Sequence, residues 1–188
     1  MKRLAGIWLV LLLAGGAALW WYPRVVSPHV QNPYQAAALL EQDARADGDG
    51  VLFRTEEVDP DEVYRALEAC YPFAFSLHAT VRPNQTTELR VEVSRRARQE
   101  QAETYAQALA AESITDDMTE EQKLRALHNT LVRLCSYDTD TAAQAVPDGA
   151  SAPFAADGAL LDHRAVCAGY GRAYGMLCEA AGLDSIYV

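Results

Sequence analysis

The chain has 188 residues, half of them hydrophobic, and a formal charge of −10. That length and composition suit one domain, or one domain with a small appended one, and exclude wholesale disorder. The acidic charge is spread along the chain and leaves no basic footprint, which excludes nucleic acid as a partner.

Met1-Lys2-Arg3 is a short positive segment, and the chain then runs without a charge from Leu4 to Tyr22. This apolar run approaches the ~20 residues that span a bilayer. It closes on Trp20-Trp21-Tyr22, aromatic residues suited to a membrane interface. Residues 1–24 are therefore expected to form a signal anchor or transmembrane helix. The positive N-terminus is expected to stay in the cytoplasm, leaving the rest of the protein in a single extracytoplasmic body at the cell membrane. Gly16 and Ala18 offer a cleavage site, and cleavage would make the protein secreted.

Residues 25–112 read as a linker followed by an α/β extension. Residues 34–46 are rich in Ala and Leu and predict a helix, stopped by Asp47-Gly48-Asp49-Gly50. That acidic tetrapeptide misses calcium-loop spacing and reads as a turn. A short strand is expected over 51–55. Asp59-Pro60-Asp61-Glu62 is a helix start, with an N-cap, proline in the first turn and acids beside the dipole. Residues 73–81 and 87–93 are β-rich and flank Pro83-Asn84-Gln85, which predicts a hairpin with His78 as a solvated or packed strand residue. Arg95-Arg96-Ala97-Arg98 opens a polar helix to about residue 112, its basic cluster read as a solvated face.

Thr119 with Gln122 fits a capping box. Leu124, Leu127, His128, Leu131, Val132 and Cys135 then form a stripe in which His128 is expected to be a core or partly buried histidine. Residues 139–156 have no periodicity and predict a loop. Beyond them, Cys167 stands at the start of a helix whose Tyr170, Tyr174, Leu177, Cys178 and Ala181 recur at helical spacing, with Gly182 as the stop. A helix N-terminus favours thiolate over thiol, and thiolate is the form that attacks carbonyls. His163 precedes it as a polar turn residue. Cys70, Cys135 and Cys178 sit in or at the end of apolar helical patterns, where they act as small hydrophobes or pair with one another. No phosphate loop, dinucleotide fingerprint or zinc-spaced Cys/His cluster occurs, so no cofactor and no metal are expected.

The combination Thr119-x-x-Gln122-Lys123-x-x-Ala126-x-His128, Tyr137-Asp138, Gly158-Ala159-Leu160, Ala165-Val166-Cys167-x-Gly169-Tyr170 and Leu177-x-x-x-Ala181-Gly182-Leu183 resembles the first half of a bacterial transglutaminase-like domain. The resemblance covers residues 115–188. It implies an α+β fold in which residues 113–188 are the N-terminal half of a papain-like core, preceded by a helix-hairpin-helix extension and the N-terminal helix. It also implies a Cys-His-Asp triad with Cys167 as nucleophile, forming a thioester that an amine or water resolves. Peptide or protein amides at the cell envelope would be its substrates. In this family the histidine and aspartate come from strands that follow the first strand after the cysteine helix, whereas this sequence runs only to Val188, inside what would be that first strand. The expectation is therefore a truncated, inactive core, or alternatively a non-catalytic surface-binding module built on it.

Overall fold

The structure is a computed structural model that describes residues 27–143 and 151–187, and the apolar segment 1–24 lies outside the described residues. Among the described residues, no helix is long and apolar enough to cross a membrane. The architecture is mixed α+β. It divides into two units, one running to Leu67 and resuming over Leu77–Val91, the other made of Glu68–Ser76 and Glu92–Val188.

In the first unit, helix α1 (Pro33–Arg45) starts on Asn32, whose side chain accepts the Gln35 N–H at 3.0 Å. Proline sits where the helix needs no donor. Ala36, Ala37, Leu40 and Ala44 give α1 its buried stripe. The Asp-Gly turn follows, with Asp47 at φ 56° and Gly50 at φ 109°, and Asp43 accepts the Gly50 N–H at 3.0 Å. Strand β1 (Val51–Arg54) leads through a 3-10 turn (Thr55–Glu57) to α2 (Pro60–Cys70), where Asp59 accepts the Asp61 N–H at 2.9 Å. Strands β2 (Phe75–Arg82) and β3 (Thr86–Val93) form the expected hairpin, and Gln85 takes the left-handed turn position at φ 61°. The sheet order is β1-β3-β2, with β1 antiparallel to β3 from Val51↔Leu89 to Arg54↔Thr86. Leu40, Phe53, Val63, Leu67 and Leu89 are fully buried and make this unit's core. Edge strand β2 stays largely in solvent, His78 with it.

The second unit is built from α3 (Arg96–Ser113), α4 (Glu120–Leu134), β4 (Ser136–Tyr137), α5 (Thr139–Ala142), a 3-10 turn (Ala152–Phe154), α6 (Ala156–Leu160), β5 (Arg164–Ala165) and α7 (Cys167–Ala180). Helix α7 lies at its centre, packed against α3, α4 and α6. Helix α3 comes close because, beside Gln99, its buried face is Ala102, Ala106 and Ala110, small residues that let backbones approach. Thr119 and Gln122 form the expected capping box at the start of α4.

Several expectations are corrected here. The Arg95–Arg98 cluster is not simply a solvated face. Arg95 Nη2 and Arg98 Nε reach Asp157, a fully buried carboxylate, at 2.9 and 3.2 Å. Leaving Asp157 unpaired would strand a charge in low dielectric, and the two guanidinium groups prevent that. The α4 stripe is narrower than its spacing suggests: Leu127, Leu131 and Cys135 are buried, whereas His128 is exposed and Val132 is 54% exposed. The buried face of α7 is Gly169, Arg172, Ala173, Met176, Leu177 and Cys178, so Tyr170 and Tyr174 stand at its margin. The segment before Cys167 is not all loop, since α5, the 3-10 turn and α6 occupy its described parts. No strand forms over residues 184–187. Gly182, at φ 68°, ends α7 as the sequence predicts. All four cysteines are thiols, Cys70 and Cys167 exposed, Cys135 and Cys178 buried.

Candidate functional site

The start of α7 is held by backbone. Strands β4 and β5 run parallel, Ser136↔Arg164 and Tyr137↔Ala165, with the Ser136 N–H on the His163 carbonyl at 2.9 Å and the Asp138 N–H on the Ala165 carbonyl at 2.8 Å. His163 enters β5 through a left-handed turn at φ 56° and its side chain is exposed. The Val166 N–H donates to the Pro153 carbonyl at 3.0 Å, which ties the residue before Cys167 to the 3-10 turn. Gly169 then presses against the same turn. A Cβ at that position would lie 2.8 Å from Ala165 Cβ and 3.1 Å from the Ala155 oxygen, and closer still to the Pro153 oxygen. Gly158 meets the Ala152 carbonyl in the same manner. Both glycines are needed because backbone passes backbone.

Side chains complete the frame. Asp138 is buried and accepts from the Thr141 N–H at 3.0 Å, the Thr141 hydroxyl at 2.8 Å and Arg164 at 2.9 Å. The Thr141 backbone bond, foremost, holds its carboxyl below the usual carboxylate range, and Arg164 contributes. Tyr170 donates its hydroxyl to the Cys135 carbonyl, and burial, then Cys135, pushes that phenol up to about 12. Tyr174 donates to the Leu124 carbonyl at 3.1 Å, and burial foremost, then Cys178, pushes it likewise to about 12. Both hydroxyls therefore stay neutral donors over the physiological range. Burial raises the Cys135 and Cys178 thiols.

Within this frame Cys167 is the first residue of α7 and is exposed. The first N–H groups of a helix have no intrahelical acceptor, so Cys167 stands at the donor-rich end of α7. Among the described residues, no histidine ring is hydrogen-bonded to Cys167. His29 pairs with Glu57 at 2.6 Å in the first unit, and His128 meets the Tyr174 ring edge-on at 6.3 Å.

Two buried features escaped the sequence reading. Arg172, on the buried face of α7, donates to the Phe73 carbonyl at 2.7 Å and to Glu68 at 3.1 Å, with Tyr187 stacked 5.8 Å from its guanidinium. An arginine on an apolar helix face is the only signal, and its partners lie 99 and 104 residues away. Gln99 grips both backbone groups of Ala74, accepting its N–H at 2.7 Å and donating to its carbonyl at 3.0 Å. No protein-family model matches the chain, and no curated protein matches it.

Proposed function

We propose that Cys167 is the nucleophile of a transglutaminase-like, papain-like thiol acyl-transfer site. In this reading, residues 1–24 tether an extracytoplasmic protein to the membrane, and peptide or protein amides of the cell envelope are the acyl donors. One observation carries it. Nearly every motif residue around Cys167 serves the packing in a way that can be named. Gly158 and Gly169 permit close approach, Tyr170 bonds the Cys135 carbonyl, and Asp138 caps α5. Cys167 does nothing of the kind, being exposed and without a side-chain partner among the described residues. A residue type that the fold does not require is left to be explained by chemistry.

The sulfur would attack a carbonyl carbon, and the Cys167 N–H at the helix start is one donor for the resulting oxyanion. Expelling an amine also needs a proton donor, and among the described residues no histidine is hydrogen-bonded to Cys167. Loss of a triad partner costs roughly four to six orders of magnitude in rate. The 188-residue chain is thus expected to accept an acyl group from an activated donor without turning over an amide. The test is to treat the full chain in detergent with a small peptidyl thioester, whose thiolate leaves unaided, and to map adducts by mass spectrometry. An adduct on Cys167 that forms faster than on Cys70, and is lost in Cys167→Ser, is the expected result. Equal acylation of the two exposed thiols would refute the reading. A second reading, a non-catalytic surface-binding module, draws on the lack, among the described residues, of a histidine bonded to Cys167, and a folded chain whose Cys167 takes no acyl group would favour it.

A further inference from the structure

Cys167, Tyr170 and Tyr174 fall at i, i+3 and i+7 of α7 and so share one side of the helix. Tyr137, at the end of β4, stacks on Tyr170 with ring centroids 6.3 Å apart and planes 25° from parallel. Tyr137 is 51% exposed. Its register partner Ala165 lies two residues before Cys167, so strand and helix deliver both rings to the flank of the thiol. Tyr170 is pinned through its hydroxyl to the Cys135 carbonyl, and the Ser136 and Asp138 ladder bonds fix the backbone on either side of Tyr137. Beside Tyr137, Asp138 and Asp140 both pair with Arg164, at 2.9 and 2.7 Å. What the thiol's neighbourhood offers a ligand is therefore an aromatic surface.

We propose that Tyr137 and Tyr170 form the acyl-donor recognition platform of the Cys167 site, selecting a donor with an aromatic side chain next to the carbonyl that is attacked. This rests on the reading of Cys167 as nucleophile and names its substrate class. Aromatic side chains supply large contact area with few torsions to immobilise, and offset stacking adds to their burial. The row continues along α7 to Tyr174, whose ring meets His128 edge-on, which gives an extended donor a direction in which to lie.

The experiment compares N-acetyl-phenylalanyl and N-acetyl-alanyl thioesters of one small thiol on the full chain in detergent. In the step measured, the Cys167 sulfur forms a bond to the acyl carbon, the donor's carbon–sulfur bond breaks, and the departing thiolate takes up the proton that Cys167 lost. The aromatic donor is expected to acylate Cys167 roughly three- to tenfold faster, the range of one aromatic contact. Tyr137→Ala should abolish that preference and Tyr137→Phe should keep it, since the ring and not the hydroxyl makes the surface. Equal rates for both donors, or a preference that survives Tyr137→Ala, overturns the platform and leaves the nucleophile standing. No adduct on Cys167 from either donor overturns both. Circular dichroism of Tyr137→Ala checks that the fold is unchanged, and if it unfolds, Tyr137→Leu takes its place, expected to lose the preference with apolar bulk retained.

Discussion

Gly169→Ala and Gly175→Ala make the same change on the same helix, and the structure assigns them opposite signs. In a helix interior Ala is favoured over Gly by about 1 kcal/mol, because it has less backbone entropy to lose. At Gly175 the new Cβ would meet only Pro72 Cβ at 3.7 Å and Ser185 Oγ at 3.8 Å, ordinary contact distances. The propensity gain should therefore survive nearly whole. At Gly169 the new Cβ would lie 2.8 Å from Ala165 Cβ and 3.1 Å from the Ala155 oxygen, with the Pro153 oxygen nearer still. Two of those three atoms are backbone, fixed by the Val166-to-Pro153 hydrogen bond and the turn behind it. Overpacking of that kind costs about 1–3 kcal/mol, which outweighs the propensity gain. The net expectation is a loss of up to about 2 kcal/mol for Gly169→Ala against a gain approaching 1 kcal/mol for Gly175→Ala. Urea unfolding of both variants beside the parent reads the difference, with unchanged m-values confirming that the native state is what moved. If Gly169→Ala stabilises the protein as Gly175→Ala does, the close packing of α7 on residues 152–155 is wrong, and with it the account of why Cys167 stands where it does.

Three further expectations follow from named contacts. Asp157→Asn removes the charge that Arg95 and Arg98 compensate and should cost about 3 kcal/mol, the lower end for a broken buried pair because Arg98 is half-exposed; a change under 1 kcal/mol in chemical denaturation would refute it. Asp138, its folded pKa depressed foremost by the Thr141 N–H, contributes stability that is present above the unfolded carboxylate value of about 3.9 and is lost as pH falls through the folded value. The stability gap between the parent and Asp138→Asn should therefore close in acid and stay open at neutral pH, and a gap independent of pH would contradict it. Iodoacetamide under native conditions should label Cys70 and Cys167 and spare Cys135 and Cys178, whose thiols are buried and raised in pKa, until the protein unfolds.

How much the sequence disclosed depends on how far apart the interacting groups lie. Asp59 and Thr119 act within one turn, and both helix starts could be read from them directly. Gly182 needs only its own φ, and the hairpin only its own turn. Asp157 is different, because its partners precede it by 62 and 59 residues and nothing local marks a carboxylate as buried. The same holds for Arg172, and for Gln99, which satisfies a loop 25 residues upstream. Alanine hid the face of α3, since Ala102, Ala106 and Ala110 lack the hydropathy that marks a stripe. In α4 the error ran the other way: the spacing of His128 and Val132 suggested a face broader than the one its neighbours cover.

The local and the distant contacts meet at Cys167, and they sort the residues around it by what each is for. Tyr170→Phe removes a buried hydroxyl from the Cys135 carbonyl and should cost about 1 kcal/mol. Gly169 and Asp138 carry costs of their own, through overpacking and through lost carboxylate bonds. Cys167→Ala removes an exposed sulfur that no described residue holds, at a helix position where alanine is well tolerated, and should change stability by no more than about 0.5 kcal/mol. That near-zero value is informative because it stands among neighbours whose substitution is costly. A segment kept for packing alone has no reason to place a thiol at a position that packing does not use. If Cys167→Ala loses more than about 1 kcal/mol in the same urea titration, the sulfur is part of the structure, and the ground for assigning it a chemical role disappears.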